Sequence, residues 1–488
     1  MTQDIKRQAV RSVAVTLGAQ AVKFALGLVV TMILARLLTP KDYGVVAMVS
    51  VITAFVGVFR DGGLSIATVQ RAEISDAQLS TLFWINAALG GASAMLLAIL
   101  SPLVGWLYDD QALVLMVVAL AVPFLLGGFT VQLQALLQRQ MRFKAIAFIE
   151  ITTLIVSAAI GILAAAAGWG SWALVTMAIA VAVVNAGQVF LFCRWRPSRP
   201  VRGAGVRSML KFGGELTASR LFDSLACSTD ALLLGKMYGP DVLGLYSRAQ
   251  TLMLQPLAQL MPPLVTVALP VMSRLAETPA TLRRVFLDLL QLTAFASSFI
   301  AVVIVVGSDW IVGVFLGPRW KEASDILRLL AGPALFLPIS TLCLVGITAR
   351  GEGSTLMRWS LQRNAITLFA IVAGAAWGAK GVAASLSIAS VFVLMPFLSS
   401  ITAKAGLALQ SDIWTAIGPG IGVCVVGCGM LYPIKVQLAR TSPLTTLFEL
   451  VVLSGALHLA IMAALPSSRM AIARILRAVP SFRVRREE

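Results

Sequence analysis

The chain is 488 residues long, 58% hydrophobic and only 12% charged, with a mean hydropathy of +0.89 and a net charge of +17. Soluble domains carry about 25% charged residues, so an ordinary cytosolic enzyme and a disordered scaffold are both excluded. In a soluble protein the basic excess would suggest nucleic acid; here the placement of the charges assigns it to a membrane instead.

A helix crossing a bilayer needs about 20 apolar residues. Apolar runs bounded by Gly, Pro and charged clusters predict helices at about 12–38, 42–66, 78–107, 111–137, 144–167 and 171–193. After the basic connection 194–207 come about 208–236, 242–272, 284–316, 322–349, 355–378, 380–403, 412–437 and 444–466. The division between 355–378 and 380–403 rests on the break Gly378-Ala379-Lys380-Gly381. Inside lipid only helices or closed barrels satisfy their backbone, and these runs are too long and too evenly apolar for barrel strands. The expected fold class is therefore an all-α integral membrane protein of about 14 transmembrane helices. Its connections average about ten residues, too few for a folded soluble domain. The first run follows the charged segment Met1 to Arg11, is too long for a signal peptide and lacks a clear cleavage site, so it is expected to remain as the first helix.

Orientation follows from Lys and Arg in alternate connections. The N-terminus, the even-numbered loops and the C-terminal tail hold about 26 of the 39 basic residues, and the odd-numbered loops about 8. Both termini are thus expected in the cytoplasm, as an even helix count requires. The tail from Met470 to Arg486 mixes apolar residues with Arg474, Arg477, Arg483, Arg485 and Arg486; it fits either an anionic leaflet or solvent. The five cysteines form no disulfide framework, and Cys424 with Cys428 reads as apolar filler on one helix face, with no metal site.

An internal repeat is visible. Residues 34–46 read LARLLTPKDYGVV and residues 234–246 read LGKMYGPDVLGLY. At an offset of 200, Arg36 aligns with Lys236, Pro40 with Pro240 and Gly44 with Gly244. Both copies join an outward-running helix to an inward-running one, which predicts two parallel six-helix repeats forming two lobes around a central cavity. The expected organisation is a first lobe at 1–193, a basic cytoplasmic linker at 194–207 and a second lobe at 208–403. Two additional helices at 404–466 and a basic cytoplasmic tail at 467–488 complete it.

These same residues carry a family resemblance. Ala35-Arg36-Leu37-Leu38-Thr39-Pro40 with Tyr43-Gly44 is followed by Arg60-Asp61-Gly62-Gly63-Leu64, Phe143-Lys144-Ala145 with Glu150, and Gly168-Trp169-Gly170-Ser171-Trp172-Ala173-Leu174-Val175. The second half adds Phe212-Gly213, Asp230, Gly235, Gly244-Leu245-Tyr246-Ser247-Arg248-Ala249, Pro270 with Ser273-Arg274, and Gly317 with Trp320. In this order the blocks, covering 12 to about 330, resemble the polysaccharide-transporter branch (Wzx-like) of the multidrug/oligosaccharidyl-lipid/polysaccharide flippase superfamily. The resemblance implies a bacterial inner-membrane flippase carrying polyprenyl-diphosphate-linked oligosaccharides outward by alternating access. It implies membrane lipids and a polymerase and copolymerase as partners, and no cofactor.

Charged residues at a helix centre cost about 2.5–3.5 kcal/mol each to insert, so they face a protein interior or a wet cavity. The central candidates are Lys23, and Glu215, Arg220, Asp223 and Asp230 of the seventh helix. Arg220, Asp223 and Asp230 share one helical face, and the repeat sets Lys23 against Asp223. Lys23, Arg220, Arg248 and Arg60 are candidates for a cationic lining that receives a diphosphate. Asp223 and Asp230 are either a coupling-ion site or the partners of structural ion pairs with Lys23 and Arg220. Arg36 and Lys236 read as end anchors, and Trp169 and Trp172 as interface aromatics.

Two other functions compete. A multidrug or small-molecule exporter of the same superfamily would carry an acidic cavity for cationic drugs, whereas the first helix here carries Lys23. A polysaccharide polymerase or ligase would need a catalytic base or a long extramembrane loop; the single histidine, His458, has no acid nearby in sequence. No nucleotide-binding motif is present, so the expected energy source is an ion gradient or the membrane potential.

Overall fold

The computed structural model describes residues 2–71, 74–201, 203, 205–438, 442–466, 468–470 and 474. Every regular element among them is helical. Among the described residues, twelve helices are long and apolar enough to cross a membrane. One of these, Ser228–Arg274, is divided at Gly239, and Gly353–Ala375 is a further long helix made less apolar by Arg358, Gln362, Arg363 and Asn364. With those two the fourteen expected long helices are present. The chain forms two compact units, Met1–Gly244 and Leu245–Glu488.

Helix starts are encoded locally. Thr39 opens Pro40–Asp61 with a reciprocal cap: the Asp42 N–H donates to Thr39 Oγ1 at 3.3 Å, and the Thr39 N–H donates to Asp42 Oδ2 at 2.8 Å. Ser75 and Gln78 repeat the device at Asp76–Tyr108. Helix ends differ from the sequence expectation where the chain turns sharply. The helix expected to reach 66 stops at Asp61, because Gly62 and Gly63 both take positive φ, 53° and 68°, before the short helix Leu64–Gln70. The run expected at 111–137 breaks at Leu120 into Ala112–Ala119 and Ala121–Arg139. The break expected near Gly378 is present, between Gly353–Ala375 and Gly378–Ile388.

In the first unit the helices from Thr2–Leu37 to Ser171–Phe192 are held by small apolar clusters and by hydrogen bonds between helices. Leu79, Phe83, Leu133, Leu137, Ile149 and Val189 form one cluster. Beside it, fully buried Asn86 donates from Nδ2 to Gln132 Oε1 at 3.2 Å, and Gln132 donates from Nε2 to Thr68 Oγ1 at 3.1 Å. Lipid supplies no hydrophobic drive between helices, so such polar contacts and close backbone packing hold the bundle.

The two segments aligned at an offset of 200 meet in this unit. The first copy leaves its helix at Leu37 and restarts at Pro40; the second breaks at Gly239 (φ 80°) and restarts at Pro240. The two restart points meet. A Cβ on Gly44 would lie 1.7 Å from the Pro240 carbonyl oxygen, and one on Gly244 would lie 1.9 Å from the Pro40 oxygen. Each glycine thus touches the carbonyl of the proline that aligns with its own, a reciprocal contact of the kind a two-fold relation generates.

The second unit is built around Pro279–Phe315 and Ala331–Ala349. Phe286, Leu290 and Ala294 pack with Phe336, Ile339, Leu342, Trp359 and Leu398. Cys424 and Cys428 pack beside Val302, Val306, Trp310 and Leu450, and a short π-helical stretch, Ala389–Leu394, joins Gly378–Ile388 to Met395–Lys404. From the tail, Arg474 reaches the buried Asp288 at 2.9 Å, and Gln291 donates to Ser468 Oγ at 3.0 Å.

Candidate functional site

Lys23 lies within Thr2–Leu37 and its ammonium meets the Glu150 carboxylate at 3.0 Å. The sequence offers Asp223 or Asp230 as its partner; the structure supplies Glu150, from Phe143–Ala166. The two side chains retain 40% and 44% of their exposure, so the pair is joined on one side and uncovered by protein on the other. In the expected topology both helices run outward, so Leu37 and Phe143 mark opposite ends; Lys23, fourteen residues before Leu37, and Glu150, seven residues after Phe143, sit about 21 Å and 10 Å from those ends. The two distances add to about the 30 Å of a hydrocarbon core, which is why these residues meet.

Arg60 sits in the last turn of Pro40–Asp61 with its guanidinium 5.8 Å from the Phe124 ring centroid. Its Cδ lies where a Cβ on residue 127 would approach to 2.8 Å, so Gly127 leaves the space for it. A ring face attracts a cation without neutralising it. Asp230 is buried, and its Oδ1 accepts the Ala231 N–H at 2.7 Å. Arg248 belongs to the second unit and is half-buried, one turn beyond Gly244. Arg220, Asp223 and Glu215 lie on the helical backbone of Arg207–Arg274, with side chains outside the described residues. Among the described charged side chains of the first unit, the structure brings Lys23 and Glu150 together.

Near the reciprocal Pro–Gly contact, Lys236 pairs with Asp109 at 2.8 Å, and Asp109 is largely exposed. Lys236 thus holds a helix end. Trp169 is exposed, with 56% of its surface free.

The second unit contains an ion network that the sequence reading missed. Asp309 receives Arg328 at 2.9 Å and also Lys435; Asp325 receives Arg328 at 3.3 Å and Lys380 at 2.6 Å. The Lys435 ammonium stands 5.7 Å from the Trp310 ring and 5.6 Å from the Tyr432 ring. Three cations against two carboxylates tie the ends of four helices together. Asp309, alone among apolar neighbours near the end of Pro279–Phe315, was the available signal. His458 is buried, with Nδ1 2.8 Å from the Ser454 oxygen and Nε2 3.2 Å from Ser298 Oγ. Both ring nitrogens are occupied in the core, which is the environment of a packed histidine rather than a base.

Residues 33–325 match the profile of the polysaccharide biosynthesis protein family. The chain belongs to this family. Curated relatives include the teichuronic acid biosynthesis protein TuaB of Bacillus subtilis, 27% identical over 66% of this chain and 67% of that protein. The lipopolysaccharide biosynthesis protein WzxC of Escherichia coli is 26% identical over 86% of this chain and 87% of its own length. The succinoglycan biosynthesis transport protein ExoT of Rhizobium meliloti is 24% identical over 77% and 76%. Among solved structures, the lipid II flippase MurJ in its inward closed conformation superposes with a TM-score of 0.72 at 14% identity, covering 91% of this chain and 97% of that one. An inward-facing multidrug resistance transporter of the MATE family, within the MOP superfamily, gives 0.58 at 12% identity over 83% and 95%. The polysaccharide biosynthesis family member described here therefore has the MOP-superfamily fold.

Proposed function

We propose that the chain is a flippase that carries polyprenyl-diphosphate-linked oligosaccharide repeat units across the bacterial inner membrane for a surface or secreted polysaccharide. The observation that carries this reading is an amine, Lys23, inside a membrane helix of a polysaccharide biosynthesis family member. An ammonium in that position is costly unless it meets an anion, and a lipid diphosphate is an anion that must cross the same depth. WzxC and ExoT carry names from lipopolysaccharide and succinoglycan production, and the MurJ fold is that of a lipid II flippase. These support an oligosaccharide on a lipid carrier as the substrate class.

In this reading both termini and residues 194–207 face the cytoplasm. The lobes 1–193 and 208–403 alternate access to a central cationic cavity that includes Lys23, Arg60, Arg220 and Arg248. The sugars and diphosphate enter the cavity while the polyprenyl tail stays in lipid, and the helices of 404–466 flank that tail. Asp223 and Asp230 hold the coupling ion or pair with the cavity cations. The polymerase and copolymerase of the same polysaccharide receive the product on the outer face. Transport draws on an ion gradient or the membrane potential.

Deleting the gene tests the reading. Polymer export is expected to stop, with the lipid-linked repeat unit accumulating on the cytoplasmic side. Normal polymer in a strain without a compensating flippase would sink the proposal. Lost drug resistance with intact polymer would point to a small-molecule exporter.

A further inference from the structure

The Lys23–Glu150 pair presents a difficulty for a cationic cavity. While the carboxylate stands 3.0 Å from the ammonium, this part of the first unit offers an incoming anion no net charge. An anion added beside an intact pair meets the repulsion of Glu150. An anion that takes the place of Glu150 meets a free ammonium, and the displaced carboxylate, 44% exposed, is left on a side that protein does not cover rather than in a dry interior. The second course is the favourable one, and the geometry permits it. Both side chains are more than a third exposed, so the ammonium can be approached without dismantling the helix contact. With the N-terminus in the cytoplasm, the pair lies about 10 Å in from the cytoplasmic end of Phe143–Ala166, on the side where substrate enters.

Resting on the flippase reading, we propose that Glu150 is the resident counter-ion of Lys23 in the empty transporter and that the substrate diphosphate exchanges with it. Glu150 is then a positioning residue acting through Lys23. It holds the amine in place while the cavity is empty, competes with the diphosphate when substrate is bound, and reclaims the amine as the lipid leaves. The consequence is a site that binds its anion only moderately, which suits a carrier that must also release it.

The test is binding of farnesyl diphosphate to the full-length protein in detergent by titration calorimetry, with lipid-linked oligosaccharide transport measured on the same variants. Glu150→Gln removes the competitor and is expected to tighten diphosphate binding about two- to fivefold, the range a half-exposed ion pair supplies, while slowing turnover. Glu150→Asp, with a shorter reach, is expected to tighten it by a smaller factor, and keeps the test available should Glu150→Gln fold poorly. Lys23→Ala is expected to weaken binding, and the Lys23→Ala/Glu150→Gln double variant to bind like Lys23→Ala. A structural salt bridge predicts otherwise: both single variants lose stability and neither changes affinity, or both change it in the same direction. Either of those results overturns the exchange while leaving the flippase reading intact. A wild-type protein that transports lipid-linked oligosaccharide but binds no farnesyl diphosphate overturns it too. A folded wild-type protein that neither transports nor binds overturns the flippase reading itself.

Discussion

Gly44→Val and Gly244→Val are each expected to stop transport without preventing membrane insertion. Atoms in folded proteins do not approach as closely as a Cβ at either position would approach the opposing proline oxygen, 1.7 Å and 1.9 Å. The two backbones must part by about 1 Å or more before any side chain fits. Overpacking of this kind costs about 1–3 kcal/mol, equivalent to a loss of about fivefold to 150-fold in the population in which the two restart points touch. Because the contact is reciprocal, both substitutions force the same separation. The double variant is therefore expected to be little worse than either single one, the non-additivity of residues sharing a contact. Met48, buried at 5% exposure and packed near Gly235, supplies the readout. A cysteine placed there is expected to be protected from an impermeant maleimide in the parent protein and labelled when Gly44→Val is added. Unchanged transport and unchanged labelling would show that this contact has no part in the cycle.

The second large effect concerns Arg220, whose helical spacing puts it on the face of Asp223 and Asp230. As a diphosphate ligand, Arg220→Ala is expected to abolish transport in a folded protein. Arg220→Lys should keep part of it, because an ammonium attracts phosphate as a point charge but lacks the bidentate fork. The double variant Arg220→Ala/Asp223→Ala separates this role from a structural pair. A folded but inactive double variant at matched expression supports binding, whereas full activity there removes Arg220 from the substrate site. Asp223→Asn alone, if it blocks transport without lowering expression, marks the aspartate as a coupling-ion site.

What the sequence disclosed follows from the physics of each feature. The helices were legible because lipid demands long apolar runs, and the Gly239–Pro240 restart because glycine followed by proline ends one helix and begins another. The paired glycines Gly62 and Gly63 were visible as letters, but their left-handed geometry and the early helix end were not. The division at Leu120 had its signal in Pro123, which cannot donate back to the carbonyl of residue 119, but that proline sits inside an apolar run that reads as continuous. Charged residues inside apolar runs marked Lys23 and Arg60 directly. Their partners were hidden, because Glu150 is 127 residues from Lys23 and Phe124 lies on another helix from Arg60. The repeat offset aligned Lys23 with Asp223, yet alignment between copies describes equivalence rather than contact. The Gly44 and Gly244 contacts show how the two can coincide: equivalent residues touch each other's partners only where the copies meet.

The central claim is that this chain moves a lipid-linked oligosaccharide from one leaflet to the other. The direct measurement is transport in proteoliposomes of purified protein loaded with a fluorescent polyprenyl-diphosphate oligosaccharide, read as the fraction of label protected from an impermeant quencher after an ion gradient or membrane potential is imposed. The account predicts movement that depends on the protein and is lost in Lys23→Ala and in Gly44→Val. Folded wild-type protein that moves no more lipid-linked oligosaccharide than protein-free liposomes, under either driving force, would contradict it.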